Sequence, residues 1–506
     1  MSAFRLGLNC SRRTATSCTL SSTPRVSRVQ QRFFAKGKFA IFEKMLQAKI
    51  SEVIECSDSE EWISRLKLNP SLVHPHLFQK SSPQIIKFNG VSYPPLFLRD
   101  SCGCDKCIDT STKQKNFQTS DIPSEIRAAS LLPGENGDIN ISWENDIPGY
   151  GPDHVSTFSQ NFFQPPYSSK ETHPFKTHAG ASRPTAWDAQ TIAQKLQYVT
   201  YDDYINSEEG LFRALIMLQA YGILILRNVP ESETSVVDIA KRIGNLRDTL
   251  YGATWDVKSV PQAKNVAYTS QNLGLHMDLL YMANPPGLQL LHCLRNTCSG
   301  GSSIFSDGFK AAAQLNEYDF LKLCTHPVGY HYRNAGEHYT KRRTVLTRGP
   351  KFGNLHPERS IGSVNYSPPF QAAFLDQFQL MNIAESLRQF ASRVEAPENV
   401  YEYRLQEGEC VIFNNRRVLH GRKEFDTSAG ERWLKGAYID SDVFLSRYRV
   451  MAEQYQDRDR EFLRTHARYI SWDIKNPDTG RMESDPHKVW ERSRDLPQTE
   501  VYANHI

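Results

Sequence analysis

The sequence predicts a mainly β protein with flanking helices, in which a small N-terminal β domain precedes a larger β-barrel or jelly roll buttressed by helices. Three observations lead there. Short apolar runs, "GLQLLHCL", "SSIFSD", "ECVIFNN" and "WLKGAYID", recur through the second half and alternate with helix-like stretches such as 368–392, the signature of many short strands closing on themselves. A separate group of alternating runs, "IIKFNGVSYPPLFLRD" and "DINISWEND", is broken by Pro/Gly turns within residues 84–165. Between the groups lies a polar, Ser/Pro/Thr-rich connection over 164–186 that reads as a linker. At 506 residues the chain exceeds what one core usually fills, so more than one domain is expected.

Taken in order, residues 1–42 hold no Asp or Glu, while Arg5, Arg12, Arg13, Arg25, Arg28 and Arg32 stand among Ser and Thr. That composition reads as a mitochondrial targeting segment over 1–40, with "QRFFAKGK" (31–38) as processing region and the matrix as destination; the cytoplasm is the alternative. Loss of residues 1–35 with their six arginines would turn the formal charge from +4 to −2. A near-neutral remainder gives no reason to expect nucleic acid as a partner. No stretch has the apolar length to span a bilayer, so no membrane partner is expected either. Residues 43–80 carry no clear chemical signal. "SEEGLFRALIMLQAYGILILRNVP" (207–230) reads as an amphipathic helix, a Gly break and the buried strand "ILILRNV". The barrel domain is assigned to 187–450, and the charged tail 451–506 is expected to be helical and peripheral.

Ten cysteines in a chain of this length do not suggest a disulfide scaffold. Three of them cluster in "RDSCGCDKC" (99–107), where Cys102, Cys104 and Cys107 are spaced so that one tetrahedral ion could gather all three thiolates. Structural zinc requires a fourth ligand. His154 in "GPDHVSTF" is the first candidate, with His74 and His76 as rivals. A closed Cys3His set would fasten the small domain and leave no position for a substrate.

"GLHMDLLY" (274–281) supplies a second metal-ligand pattern. On a strand, alternation would turn His276 and Asp278 to one face with Met277 opposite. A third ligand is sought on another strand, and His420 in "ECVIFNNRRVLHGR" stands at the end of an apolar run before a Gly turn. Two imidazoles and one carboxylate on one side of an ion leave open positions, as in non-haem Fe(II) oxygenases. Zinc hydrolases also use such sets, so a co-substrate site must discriminate. Arg432, at the start of the run "RWLKGAYID", offers a planar guanidinium that can hold a carboxylate bidentately, as the far end of 2-oxoglutarate requires.

With these residues in view, the chain resembles the Fe(II)/2-oxoglutarate dioxygenases of the taurine dioxygenase type, and within them the gamma-butyrobetaine and trimethyllysine dioxygenases. "RDSCGCDKC", "NVAYTSQNLGLHMD", "PPGLQLLHC", "GGSSIFSDGF" and "RRVLHGR" carry the resemblance, in order, over about residues 84–450. It implies a double-stranded β-helix (jelly roll) catalytic domain behind an N-terminal zinc-binding β domain. It implies iron at His276, Asp278 and His420, 2-oxoglutarate at Arg432 with Ser303 beside it, O2 as second co-substrate, ascorbate as reductant and a homodimer. It also implies a trimethylammonium substrate held by aromatic faces, because a quaternary ammonium has no N–H to donate. "YGATW" places Tyr251 and Trp255 one helical turn apart, and Tyr268 and Tyr438 match the remaining cage positions. Asn265 and Asn365 fall where amides meet the substrate carboxylate in gamma-butyrobetaine dioxygenase, whereas the trimethyllysine enzyme has an acid at the first. An amide can donate to a carboxylate and an aspartate repels it. The expected reaction is therefore hydroxylation of gamma-butyrobetaine to L-carnitine. Trimethyllysine or another quaternary or small amine is the alternative within the same chemistry, and a non-catalytic zinc-binding interaction protein on the same scaffold is the alternative outside it.

Overall fold

The computed structural model describes residues 50–56, 59–67, 84–88, 91–134, 138–163, 184–196, 198–258, 270–349, 361–428, 430–458, 474–475 and 482–483. The chain divides into two compact units, Met1–Thr172 and His173–Ile506. The leader 1–40 lies outside the described residues.

In the first unit the strand Gln84–Phe88 pairs antiparallel with Ile50–Glu55 on one side and Val91–Tyr93 on the other. This sheet begins well before residue 84, where the sequence first shows clear alternation. Arg127–Pro133, Ile139–Glu144 and Val155–Phe158 make a second antiparallel sheet. Along Ile139–Glu144, Ile139, Ile141 and Trp143 are buried in alternation with half-buried and exposed neighbours, the period expected of a strand with one covered face. They pack with Phe88, Phe117 and Phe158 around Cys102 and Cys107.

In the second unit a six-stranded sheet runs in the order Tyr198–Thr200, Ile223–Arg227, Cys410–Asn414, Leu288–Asn296, Arg432–Ile439, Thr254–Lys258. A four-stranded sheet runs Leu273–His276, Val418–Arg422, Ser303–Asp307, Val400–Tyr403. Together they make the jelly roll that the short apolar runs imply. Ile223–Leu226 are fully buried because helix Glu208–Tyr221 packs on one face of the larger sheet while the barrel interior takes the other. That helix starts where the Ser207 hydroxyl caps the Gly210 N–H at 3.1 Å and stops at Gly222. The apolar run 409–420 resolves into two strands, one in each sheet, joined by a turn over 415–417, so His420 lies within a strand and not at its end. Gly421 likewise belongs to that strand: a Cβ there would come within 2.5 Å of the Leu273 carbonyl. The absent side chain admits the His276 strand at close range. The closing helix Ser441–Arg458 crosses the expected domain limit at 450, and Ile474–Lys475 pairs with Met482–Glu483 in what was expected to be a helical tail.

A buried ion pair ties the barrel together. Arg417 donates from Nε and Nη2 to the two Asp307 oxygens at 3.0 and 2.8 Å, and reaches the carbonyls of Ala220 and Thr185 at 2.7 and 2.5 Å. Asp307 also accepts from the Trp187 and Phe309 amides, each at 3.0 Å. Removing one partner leaves the other charge buried and unmatched, so Arg417→Met is expected to lower unfolding stability by about 3–5 kcal/mol. Urea denaturation measures it; a loss below about 1 kcal/mol, the range of exposed pairs, contradicts the assignment.

Candidate active site

His276 closes the strand Leu273–His276, and Asp278 sits just beyond it in a turn, with Leu279 at φ +60. The two do not share a face by strand alternation. The chain instead turns after His276, and Asn415 fixes the turn: its side chain accepts from the Asp278 amide at 2.9 Å and donates to the Asp278 carbonyl at 3.1 Å. Antiparallel pairing sets His276 opposite His420, with ring centroids 4.3 Å apart. His276 Nε2 lies 3.3 Å from Asp278 Oδ1, and His420 Nε2 lies 3.8 Å from Asp278 Oδ2. All three donor atoms fall within 4.8 Å of one another, a group able to hold one metal ion.

The donor chemistry fits Fe(II). His276 Nδ1 is 2.8 Å from the Gly274 carbonyl, which fixes the proton on Nδ1 and leaves the Nε2 lone pair facing Asp278. His420 is buried against Phe413, whose ring lies 4.8 Å away, and burial lowers its pKa to about 3, so this imidazole is neutral. Burial pushes the Asp278 carboxyl up. The two imidazoles and the Tyr438 hydroxyl outweigh it and hold the group well below the usual carboxylate range. Two imidazole nitrogens and one carboxylate are the donor set of the non-haem Fe(II) oxygenases.

Ser303 and Arg432 are both buried, and Ser303 is on the strand that pairs with the His420 strand. Arg432 Nε donates to the Gly301 carbonyl at 3.3 Å, and Arg432 pairs with no carboxylate among the described residues. Burial lowers its pKa to about 10, which leaves it charged. Sequence reasoning missed Arg422. It stands two residues beyond His420 on the same strand, directly opposite Ser303, and its guanidinium lies 4.7 Å from the Phe425 ring while that of Arg432 lies 5.6 Å from it. The i, i+2 rule that relates His420 to Arg422 was available in the sequence; the pairing with Ser303 was not.

Of the four aromatic residues expected to meet a cation, Tyr251, Trp255 and Tyr438 are described. Trp255 stacks on Tyr438 with centroids 4.0 Å apart, and Tyr251 lies 6.4 Å from Trp255. Tyr251 and Trp255 belong to a turn and the strand Thr254–Lys258, not to one helical turn. Trp255 lies flat over Gly436, where a Cβ would meet the indole at 2.4 Å. The Tyr438 hydroxyl donates to Asp278 Oδ2 at 2.7 Å, a link between aromatic wall and metal ligand that the sequence gave no sign of. Asn265 and Tyr268 lie outside the described residues. Asn365 is fully buried; its Oδ1 accepts from Arg416 at 2.6 Å and its Nδ2 donates to the Thr344 carbonyl at 2.7 Å.

The small unit brings its own cluster together. Cys102, Cys104 and Cys107 Sγ lie 3.6, 3.4 and 3.4 Å from His154 Nε2. His154 Nδ1 is held by Asp146 Oδ2 at 2.6 Å, and the other Asp146 oxygen accepts from Arg99 Nε at 2.6 Å. Arg99 Nη1 in turn donates to Cys107 Sγ at 3.4 Å. Three sulfurs and one nitrogen, with a carboxylate orienting the imidazole, suit structural zinc. His74 and His76 lie outside the described residues.

Fold and site thus describe a mononuclear oxygenase, and comparison with known proteins agrees. Residues 182–438 match the family model of taurine catabolism dioxygenase TauD, TfdA family, and residues 85–151 match the gamma-butyrobetaine hydroxylase-like N-terminal model. The chain belongs to the TauD, TfdA family and is a 2-oxoglutarate-dependent dioxygenase. It is 38% identical to dioxygenase str8 of Strobilurus tenacellus, over 71% of this chain and 85% of that protein. It is 30% identical to gamma-butyrobetaine dioxygenase of Pseudomonas sp. (strain AK-1), over 70% of this chain and 89% of that one. Mitochondrial trimethyllysine dioxygenase of Bos taurus is 26% identical, over 72% and 84%.

Proposed function

We propose that the enzyme hydroxylates gamma-butyrobetaine to L-carnitine, with Fe(II) held by His276, Asp278 and His420. Bound there, iron lets 2-oxoglutarate and O2 become succinate and CO2 while one oxygen atom enters a C–H bond of the substrate. The chain's own contribution is placement. Arg432, with Ser303 and Arg422 beside it, receives the far carboxylate of the keto acid through charge-assisted bonds. Tyr251, Trp255 and Tyr438 present π faces to the trimethylammonium group, each worth about 0.5–2 kcal/mol depending on desolvation. Asn265 and Asn365 are assigned to the carboxylate end. Zinc at Cys102, Cys104, Cys107 and His154 is assigned a structural role.

The observation that carries this reading is the Tyr438 bond to Asp278. One residue supplies both a cage face, stacked on Trp255, and the hydrogen bond that orients a metal ligand. A cation resting on that wall is therefore within a residue's breadth of the reacting centre. The acid-free, arginine-bearing segment 1–42 supports a mitochondrial matrix location. Among the described residues no helix is long and apolar enough to cross a membrane.

Purified enzyme with Fe(II), 2-oxoglutarate and ascorbate should convert gamma-butyrobetaine to its hydroxylated product faster than trimethyllysine, read side by side by mass spectrometry. Trimethyllysine turnover without gamma-butyrobetaine turnover would exchange the substrate while keeping the chemistry.

A further inference from the structure

The turn between Asn414 and Val418 carries a second guanidinium whose setting the catalytic scheme does not use. Arg416 Nη2 donates to Asn365 Oδ1 at 2.6 Å and to Ser363 Oγ at 3.1 Å, while its Nη1 is buried with no hydrogen-bond partner among the described residues. Arg343 is near enough for its charge to act on Arg416. Arg343 spends its donors on backbone carbonyls, those of Leu280 at 3.0 Å, Ala283 at 3.3 Å and Met282. Neither guanidinium pairs with a carboxylate among the described residues. A buried guanidinium with an unmet donor, under the charge of another arginine, is costly to hold. An arriving anion would relieve it.

Arg416 and Asn365 each adjoin a residue that holds the metal-ligand segment. Asn365 follows the strand Ile361–Val364, and the next residue accepts the Met277 amide through the Tyr366 carbonyl at 2.9 Å, between the two metal ligands of that segment. In the turn itself, Asn415 clamps Asp278 and is the chain neighbour of Arg416. The Tyr330 hydroxyl donates to the Asn365 backbone carbonyl at 2.7 Å, and Asn365 Nδ2 donates to the Thr344 carbonyl at 2.7 Å, so the backbone and the side-chain amide that Arg416 holds are both fixed.

We propose that Arg416 is a specificity-determining residue that receives the carboxylate of the substrate through Nη1, with Asn365 and Ser363 holding its guanidinium in place. This rests on the trimethylammonium reading above and sharpens it: the site takes trimethylammonium carboxylates and rejects those with a further cation at the acid end. An α-ammonium group, as on trimethyllysine, would face Arg416 and Arg343 together.

The test is isothermal titration of full-length enzyme with gamma-butyrobetaine and its shorter and longer homologues, each beside its carboxamide, on wild type, R416Q and R416K. Wild type should bind each accepted acid about tenfold or more tightly than its amide, the scale of a charged hydrogen bond. R416Q should bind the two alike, with the amide affinity unchanged, and R416K should keep part of the preference. If R416Q fails to fold, R416K against wild type still gives the comparison. An acid preference that survives in R416Q, a wild type that binds acid and amide alike, or an equal loss of both ligands in the variants overturns the proposal. Tight acid binding without gamma-butyrobetaine turnover overturns the substrate reading and supports Arg416. Binding of no acid overturns both.

Discussion

Asp278→Ala is expected to remove substrate-stimulated succinate release, by more than about a hundredfold, the upper end of what even outer partners of metal ligands cost. The reason is the number of roles one carboxylate fills. It faces both imidazoles at 3.3 and 3.8 Å and accepts the Tyr438 hydroxyl at 2.7 Å. Alanine leaves two neutral imidazoles, a donor set with no charge to balance a divalent ion. Iron per chain, measured on the purified variant, should fall together with activity. Tyr438→Phe is the graded control: the ring stays on Trp255 and only the hydroxyl is lost, so about a 10- to 100-fold fall is expected. Unchanged succinate release in Asp278→Ala would remove the metal assignment, and unchanged iron content with lost activity would make Asp278 something other than a ligand.

The second large effect is expected in the small unit. Structural zinc contributes on the order of 10–16 kcal/mol to folding in zinc-finger peptides, and here three thiolates and His154 enclose the space where it would sit. Cys107→Ser removes a ligand that also accepts from Arg99 at 3.4 Å. The variant should lose bound zinc and become open to limited proteolysis within residues 84–163, while wild type carries one zinc per chain by elemental analysis. Wild type that purifies without zinc, and resists proteolysis in a strong chelator, would show that the thiols pack as ordinary buried cysteines.

Much of this was legible before any coordinates. Spacing alone grouped Cys102, Cys104 and Cys107, and His276 with Asp278, because close ligands must come from nearby residues. His420 followed from chemistry, since a two-ligand site needs a third. What stayed hidden depends on contacts between distant segments. Arg422 faces Ser303 only because the strands take a particular register. Asp146 orients His154 from a loop without any motif. Tyr438 was legible as an aromatic ring and not as a hydrogen-bond donor to Asp278. The turn that brings Asp278 back to His276 was misread as a continuing strand because "HMDLLY" is apolar enough to extend one. Ile50–Glu55 went unnoticed as a strand because its partner, Gln84–Phe88, lies some thirty residues on.

The anchoring of Trp187 and Thr185 bears on how the two halves of this polypeptide can be separated. Just before the first helix of the larger unit, the Trp187 amide and the Thr185 carbonyl dock onto the buried Asp307 and Arg417. That stretch is composed like a tether yet terminates as a plug. A protein engineer who trims the oxygenase half at the first recognisable secondary structure would pull this plug and leave a charged hole beneath the sheets.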